Sequence, residues 1–101
     1  MNRSIKCVKQ NLTGLSGLLR ALSEENRLRI ICFLQNKEHC ACEISDFLGL
    51  SHNLISFHLK TLKEIGLINC RREGKYLFYS INRANFNSFL GKFKAIMGGC
   101  K

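Results

Sequence analysis

Two short stretches of helical apolar spacing meet at Gly49-Leu50-Ser51, and few folds turn a chain so sharply between two helices so short. Glycine readily ends a helix, and a serine hydroxyl can accept the free backbone N–H groups at the start of the next. The join predicts a helix-turn-helix unit. In its second helix Ile55, Leu59 and Leu62 recur at offsets of four and three and face inward. Ser51 starts that helix, and His52, Asn53, Ser56, Phe57, Lys60 and Lys63 spread over its outer face. That face carries no acid before Glu64 and places an aromatic ring outside at Phe57. A reader of the DNA major groove uses such chemistry: asparagine pairs with adenine, lysine and hydroxyls hold phosphates, and a ring meets a thymine methyl. An ordinary surface helix fits the same face, so the face alone does not separate the two.

The segments that follow favour the DNA reader. Residues 67–72 and 75–82 are strand-like, with Leu77, Tyr79 and Ile81 on one side, and Glu73-Gly74 fits the turn between them. A hairpin directly after a recognition helix is a wing. Its tip gathers Arg71, Arg72, Lys75 and Tyr76, which are placed to reach backbone phosphates or the minor groove.

The formal net charge of +9 calls for a polyanionic partner. Charge does not distinguish nucleic acid from an anionic membrane, but no apolar run has the length of a membrane span, and residues 1–7 lack the apolar core of a signal peptide. A cytoplasmic protein without a membrane partner is expected. No glycine-rich phosphate loop, nucleophile with an identifiable base or paired carboxylate site is present, so no enzyme is expected. The 101 residues form one domain, with residues 1–9 as a basic arm and 98–101 as a tail.

Two further helices precede the helix-turn-helix. Leu12, Leu15, Leu18, Leu19 and Leu22 mark the first, and Ser23 is the expected cap of the second, with Glu24 and Glu25 in its first turn. After the hairpin, Phe86, Phe89, Leu90, Phe93, Ile96 and Met97 form a stripe too broad for one small core. The last helix is therefore expected to pair with the first in a homodimer. The fold class is mostly α with a β-hairpin wing: a winged helix-turn-helix of four helices, two strands and a final helix.

Six cysteines stand at positions 7, 32, 40, 42, 70 and 100. Without an export signal, metal or redox chemistry accounts for them better than a disulfide framework. Cys32 reads as a small buried apolar residue. Cys40 and Cys42 lie at a helix start, and thiolates select thiophilic ions. Residues two apart on a helix point about 200° from one another. Both thiols can clamp one ion only if the first turn unwinds or Cys40 precedes it, and distortion there would disturb the helix at residues 51–64. His39 reads as a solvated loop residue that could add a nitrogen donor, His52 as a DNA contact and His58 as structural.

Residues 21–30 (Ala-Leu-Ser-Glu-Glu-Asn-Arg-Leu-Arg-Ile), Cys40-Ala-Cys42-Glu, Ser56-Phe-His-Leu-Lys-Thr-Leu62 with Gly66-Leu-Ile, and Arg71-Arg-Glu-Gly-Lys75 with Tyr79 closely resemble the ArsR/SmtB family of metal-responsive repressors, over roughly residues 12–97. The resemblance implies a dimeric repressor that holds an inverted-repeat operator on double-stranded DNA, needs no cofactor for DNA binding and is released by an inducer. Members that sense zinc or cobalt through the last helix use Asp and His there, and residues 83–101 contain neither. The Cys-x-Cys at the start of the first helix of the unit implies the branch that senses arsenic, antimony, cadmium or lead. As(III) or Sb(III) bound by Cys40, Cys42 and a third thiolate is the expected inducer. The third cysteine of the arsenic arrangement corresponds to Ser45. Cys7, by analogy with members that borrow an arm cysteine from the other protomer, or Cys100 would complete the set. Cd, Pb or Zn with Cys7 is an alternative, and a thiol-redox or persulfide sensor using Cys32 and Cys100 is another.

Overall fold

A computed structural model describes residues 14–98. In chain order these form α1 (residues 14–22), α2 (Glu25–Phe33), β1 (His39–Cys40), α3 (Ala41–Leu48), α4 (His52–Glu64), β2 (Ile68–Glu73), β3 (Tyr76–Ile81) and α5 (Arg83–Gly98). The three strands make one antiparallel sheet in the order β1-β3-β2. None of the described helices is long and apolar enough to cross a membrane. Cys7, Cys100 and the expected arm at residues 1–9 lie outside the described residues, as does the tail beyond Gly98.

The helix-turn-helix forms as its residues dictate. Gly49 closes α3 in the left-handed conformation at φ 71°, its N–H reaching the Ser45 carbonyl at 2.9 Å. Ser51 caps α4, its hydroxyl accepting the Leu54 N–H at 3.2 Å. The Ser51→Ala variant is expected to lower stability by about 1 kcal/mol, read as a shift in the urea midpoint without a change in slope. Ile55, Leu59 and Leu62 are buried and meet Ile30 of α2, Leu34 at its C-cap, Ile44 and Leu48 of α3, and Leu67 and Ile68 in one core.

The wing is a tight hairpin whose turn is Gly74-Lys75 rather than Glu73-Gly74, since Glu73 pairs with Tyr76 and Gly74 takes the positive φ. Glycine at the first central position is what a type II′ turn requires. Tyr79 and Ile81 pack against the core, as the alternation predicts. The short strand β1 is an addition to the expected hairpin. His39 pairs with Tyr79 and Cys40 with Phe78, so the cysteine pair begins on the free edge of the wing sheet.

Three local expectations are corrected. Glu24, not Ser23, caps α2 by accepting the Arg27 N–H at 3.1 Å, while the Ser23 hydroxyl donates to the Arg20 carbonyl and finishes α1. Cys32 is exposed, because α2 turns Ile30 and Ile31 inward, with Leu34 at its C-cap, and Leu28 and Cys32 outward. His39 is half-buried, its ring stacked on Phe33 at 4.1 Å, which in turn stacks on Phe47 at 4.2 Å.

Helices α1 and α5 leave apolar surface uncovered. Only Phe89 of the α5 stripe is buried, and Leu19, Leu90 and Met97 stand exposed. Leu15, Ser16, Leu19, Arg20 and Met97 line an open groove of about 540 Å³ between the two helices.

Candidate nucleic-acid interface and thiol pair

Helix α4 turns its burial stripe so completely inward that its other face is free from end to end. Ser51, His52, Asn53, Ser56, Phe57, Lys60 and Lys63 are all exposed. Asn53, Phe57 and Lys60, at offsets of four and three, form the middle row of that face. Phe57 leaves 57% of its surface in solvent. Leu54, exposed at 39% on the flank of the row, is an additional apolar residue that the spacing did not single out.

The wing divides its candidates. Arg72, Lys75 and Tyr76 are exposed, and the Lys75 ammonium lies 5.7 Å from the Tyr76 ring centroid. Arg71 is also exposed but is committed within the protein. Its Nε donates to both Glu38 carboxylate oxygens at 3.0 and 3.1 Å, Nη2 pairs with Glu38, and Nη1 donates to Glu73 at 2.7 Å. Its guanidinium also covers the Phe78 ring at 4.9 Å. Hydrogen bonding from Arg71 holds the Glu38 carboxyl below its ordinary range, and Glu38 and Glu73 together raise the guanidinium further. Arg71 thus ties β2 to the residues just before the cysteine pair.

Cys40 is both the last residue of β1 and the N-cap of α3, with extended backbone at φ −80° and ψ 161°. It therefore precedes the first turn, the arrangement in which it and Cys42 need not point apart as two helical residues would. Cys42 is exposed in that first turn, and Cys40 is half-buried. Glu43 anchors the junction: its Oε1 accepts the Cys40 N–H at 3.0 Å and lies 3.3 Å from His39 Nδ1. The Cys40 backbone N–H, followed by His39, holds the Glu43 carboxyl below its ordinary value of 4.5. A depressed carboxyl stabilises the fold fully above that value and loses its contribution as pH falls through the folded pKa. The melting difference between wild type and Glu43→Gln is therefore expected to be constant near neutrality and to shrink below pH 4.5.

Ser45, at the position of a third local cysteine, is buried, and its hydroxyl donates to the Leu50 carbonyl at 2.6 Å. It holds the turn between α3 and α4. Cys70 faces Tyr79 across the hairpin, where burial, and then the neighbouring Cys70, push the Tyr79 phenol up to about 12. Among the described residues no three His, Cys, Asp or Glu side chains are gathered as a metal cluster. His58 is buried, as expected of a structural residue, and accepts a hydrogen bond from Arg27.

Comparison with known proteins accords with this architecture. Residues 24–69 match the family described as bacterial regulatory protein, arsR family. The arsenical resistance operon repressor of Staphylococcus aureus is 30% identical over 82 residues, covering 81% of this chain and 79% of that protein. The chain belongs to the ArsR family. Another relative in the family, the cadmium resistance transcriptional regulatory protein CadC of Listeria innocua, is 35% identical over 69 residues; the match covers 67% of this chain and spans 58% of that regulator's length. The structure of reduced HlyU from Vibrio cholerae superposes on this ArsR-family chain with a TM-score of 0.74 at 30% identity, covering 92% of this chain and 96% of that one. The winged helix-turn-helix described above is thus the ArsR-family fold.

Proposed function

We propose that the protein is a cytoplasmic, homodimeric transcriptional repressor that holds an inverted-repeat operator and leaves it when arsenite or antimonite binds Cys40, Cys42 and a third thiolate. The carrying observation is the position of Cys40, which belongs at once to the wing sheet and to the helix that packs under α4. The exposed apolar groove between α1 and α5 supports pairing of two copies, which would set two α4 helices at a fixed separation along the duplex. Asn53 and Phe57 would enter the major groove, with His52 and Ser56 beside them, Lys60 and Lys63 on phosphates at its edge, and Arg72, Lys75 and Tyr76 on the flanking backbone.

The inducer supplies strong bonds to thiolate sulfur. Everything else is done by the chain. Drawing Cys42 toward Cys40, which sits ahead of the first turn of α3, displaces Glu43 from the Cys40 N–H and pulls on the pairing of β1 with β3. Recognition helix and wing then lose their common orientation, and the dimer loses its matched spacing. Because Ser45 is engaged with Leu50, the third donor has to come from elsewhere, and Cys7 or Cys100 is the candidate. That same requirement, together with the CadC relative, favours a second reading in which cadmium or lead is the inducer and Cys7 of the arm is added.

The test follows reduced protein on fluorescent DNA from its own promoter region, titrated anaerobically with arsenite, cadmium, lead and zinc, beside a Cys40→Ser, Cys42→Ser double variant. Release by arsenite in wild type alone is expected. Release by cadmium or lead alone selects the second reading, and binding that no ion disturbs contradicts both.

A further inference from the structure

Arg27 has no part in the function proposed above, yet it joins three helices. Its Nε–H donates to Nδ1 of His58 at 3.1 Å, and its Nη1 donates to the Ala21 carbonyl, near the end of α1, at 3.1 Å. Its guanidinium carbon lies 5.6 Å from the centroid of the Phe57 ring. The carboxylate of Glu24, which accepts the Arg27 backbone N–H, stands 3.8 Å from the other nitrogen of His58. His58 is 4% exposed and its neighbour Phe57 is 57% exposed. A buried anchor thus fixes a guanidinium against the outermost aromatic ring of α4.

The chemistry of that ring limits what it can recognise. An exposed phenylalanine on a helix ordinarily visits several rotamers, and a planar cation held against it favours one of them. The ring offers no hydrogen bond, so it cannot read the donor and acceptor pattern of a base edge. The apolar group that a base presents in the major groove is the 5-methyl of thymine. Phe57 sits between Asn53 and Lys60 in the row where base contacts would fall. We infer that Phe57 reads a thymine 5-methyl group and that Arg27 is the positioning residue that holds its ring for that contact. The inference rests on the DNA-binding function proposed above.

The probe is a duplex selected from a random library by the full-length reduced protein, compared with the same duplex carrying deoxyuridine in place of thymidine. The replacement removes the methyl groups and keeps the base pairing. Wild type is expected to bind the deoxyuridine duplex more weakly by about fourfold for each methyl that Phe57 touches, or about 15-fold for two half-sites. Phe57→Ala should lose most of that preference. Arg27→Gln should narrow it, an effect that a merely structural loss, weakening both duplexes alike, would not produce. Arg27→Lys, which keeps the charge without the planar fork, should also narrow it and serves if the glutamine variant melts below the assay temperature. A wild-type protein that selects a sequence but ignores the methyl groups overturns the inference and leaves the repressor function standing. Failure to select any sequence overturns the function itself. Undiminished preference in a folded Arg27 variant takes the positioning role away from Arg27.

Discussion

Truncation of Ile55 to alanine is expected to remove about 2–5 kcal/mol of stability, the usual cost of deleting a branched side chain from a packed core. Ile55 is wholly buried in the first turn of α4 and joins the core shared by α2, α3 and the start of β2. A domain of this size is stabilised by only about 5–15 kcal/mol, so the loss is a large part of the whole. Urea unfolding at fixed protein concentration should show a lower midpoint and an unchanged slope. Lys60→Ala, on the exposed face of the same helix, should stay within about 0.5 kcal/mol of wild type. A small effect at Ile55 would mean that α4 does not pack by the face described.

Reversing the charge at Lys60 should leave stability nearly intact and damage DNA binding. A hydrogen bond to a charged group is worth about 1.5–3 kcal/mol, and a dimer would lose it twice, so Lys60→Glu is expected to weaken operator binding by at least about 100-fold. The plot of log affinity against log salt should flatten by about two units, one for the phosphate that each protomer no longer neutralises. A similar loss for unrelated duplexes would mark Lys60 as a backbone contact. An unchanged affinity and salt slope would take α4 off the DNA.

The helix-turn-helix was legible in the sequence because each of its signals is local. Gly49 and Ser51 stop and start helices through their own backbone and hydroxyl chemistry, and the spacing of Ile55, Leu59 and Leu62 defines a face without reference to other elements. Strand β1 had no such signal. Two residues cannot show a period, and His39-Cys40 is a strand only because β3 presents an edge to it. The same pairing moved His39 from solvent to a stack on Phe33, through an interaction between residues of separate elements. At α2, two residues able to cap stood side by side, and the Arg20 carbonyl claimed Ser23, leaving Glu24 as the cap. Cys32 looked inward because its neighbours are apolar, but a helix of nine residues had its burial supplied by Ile30 and Ile31, with Leu34 following at its cap. Within the candidate site, the exposed row on α4 was readable from spacing. Arg71 was not, since its partner Glu38 is 33 positions away and the sequence shows only a basic residue near a hairpin tip. Arg27 was hidden for the same reason, its partner His58 being 31 positions away.

At the centre of the proposed mechanism the cysteine pair and the DNA-reading surface are coupled, and coupling acts equally in both directions. Calorimetric titration of arsenite into reduced protein, once free and once saturated with its operator duplex, measures it directly. The DNA-bound protein is expected to take up arsenite more weakly, by the same factor by which arsenite weakens DNA binding. Equal arsenite affinity in the two states would contradict the coupling.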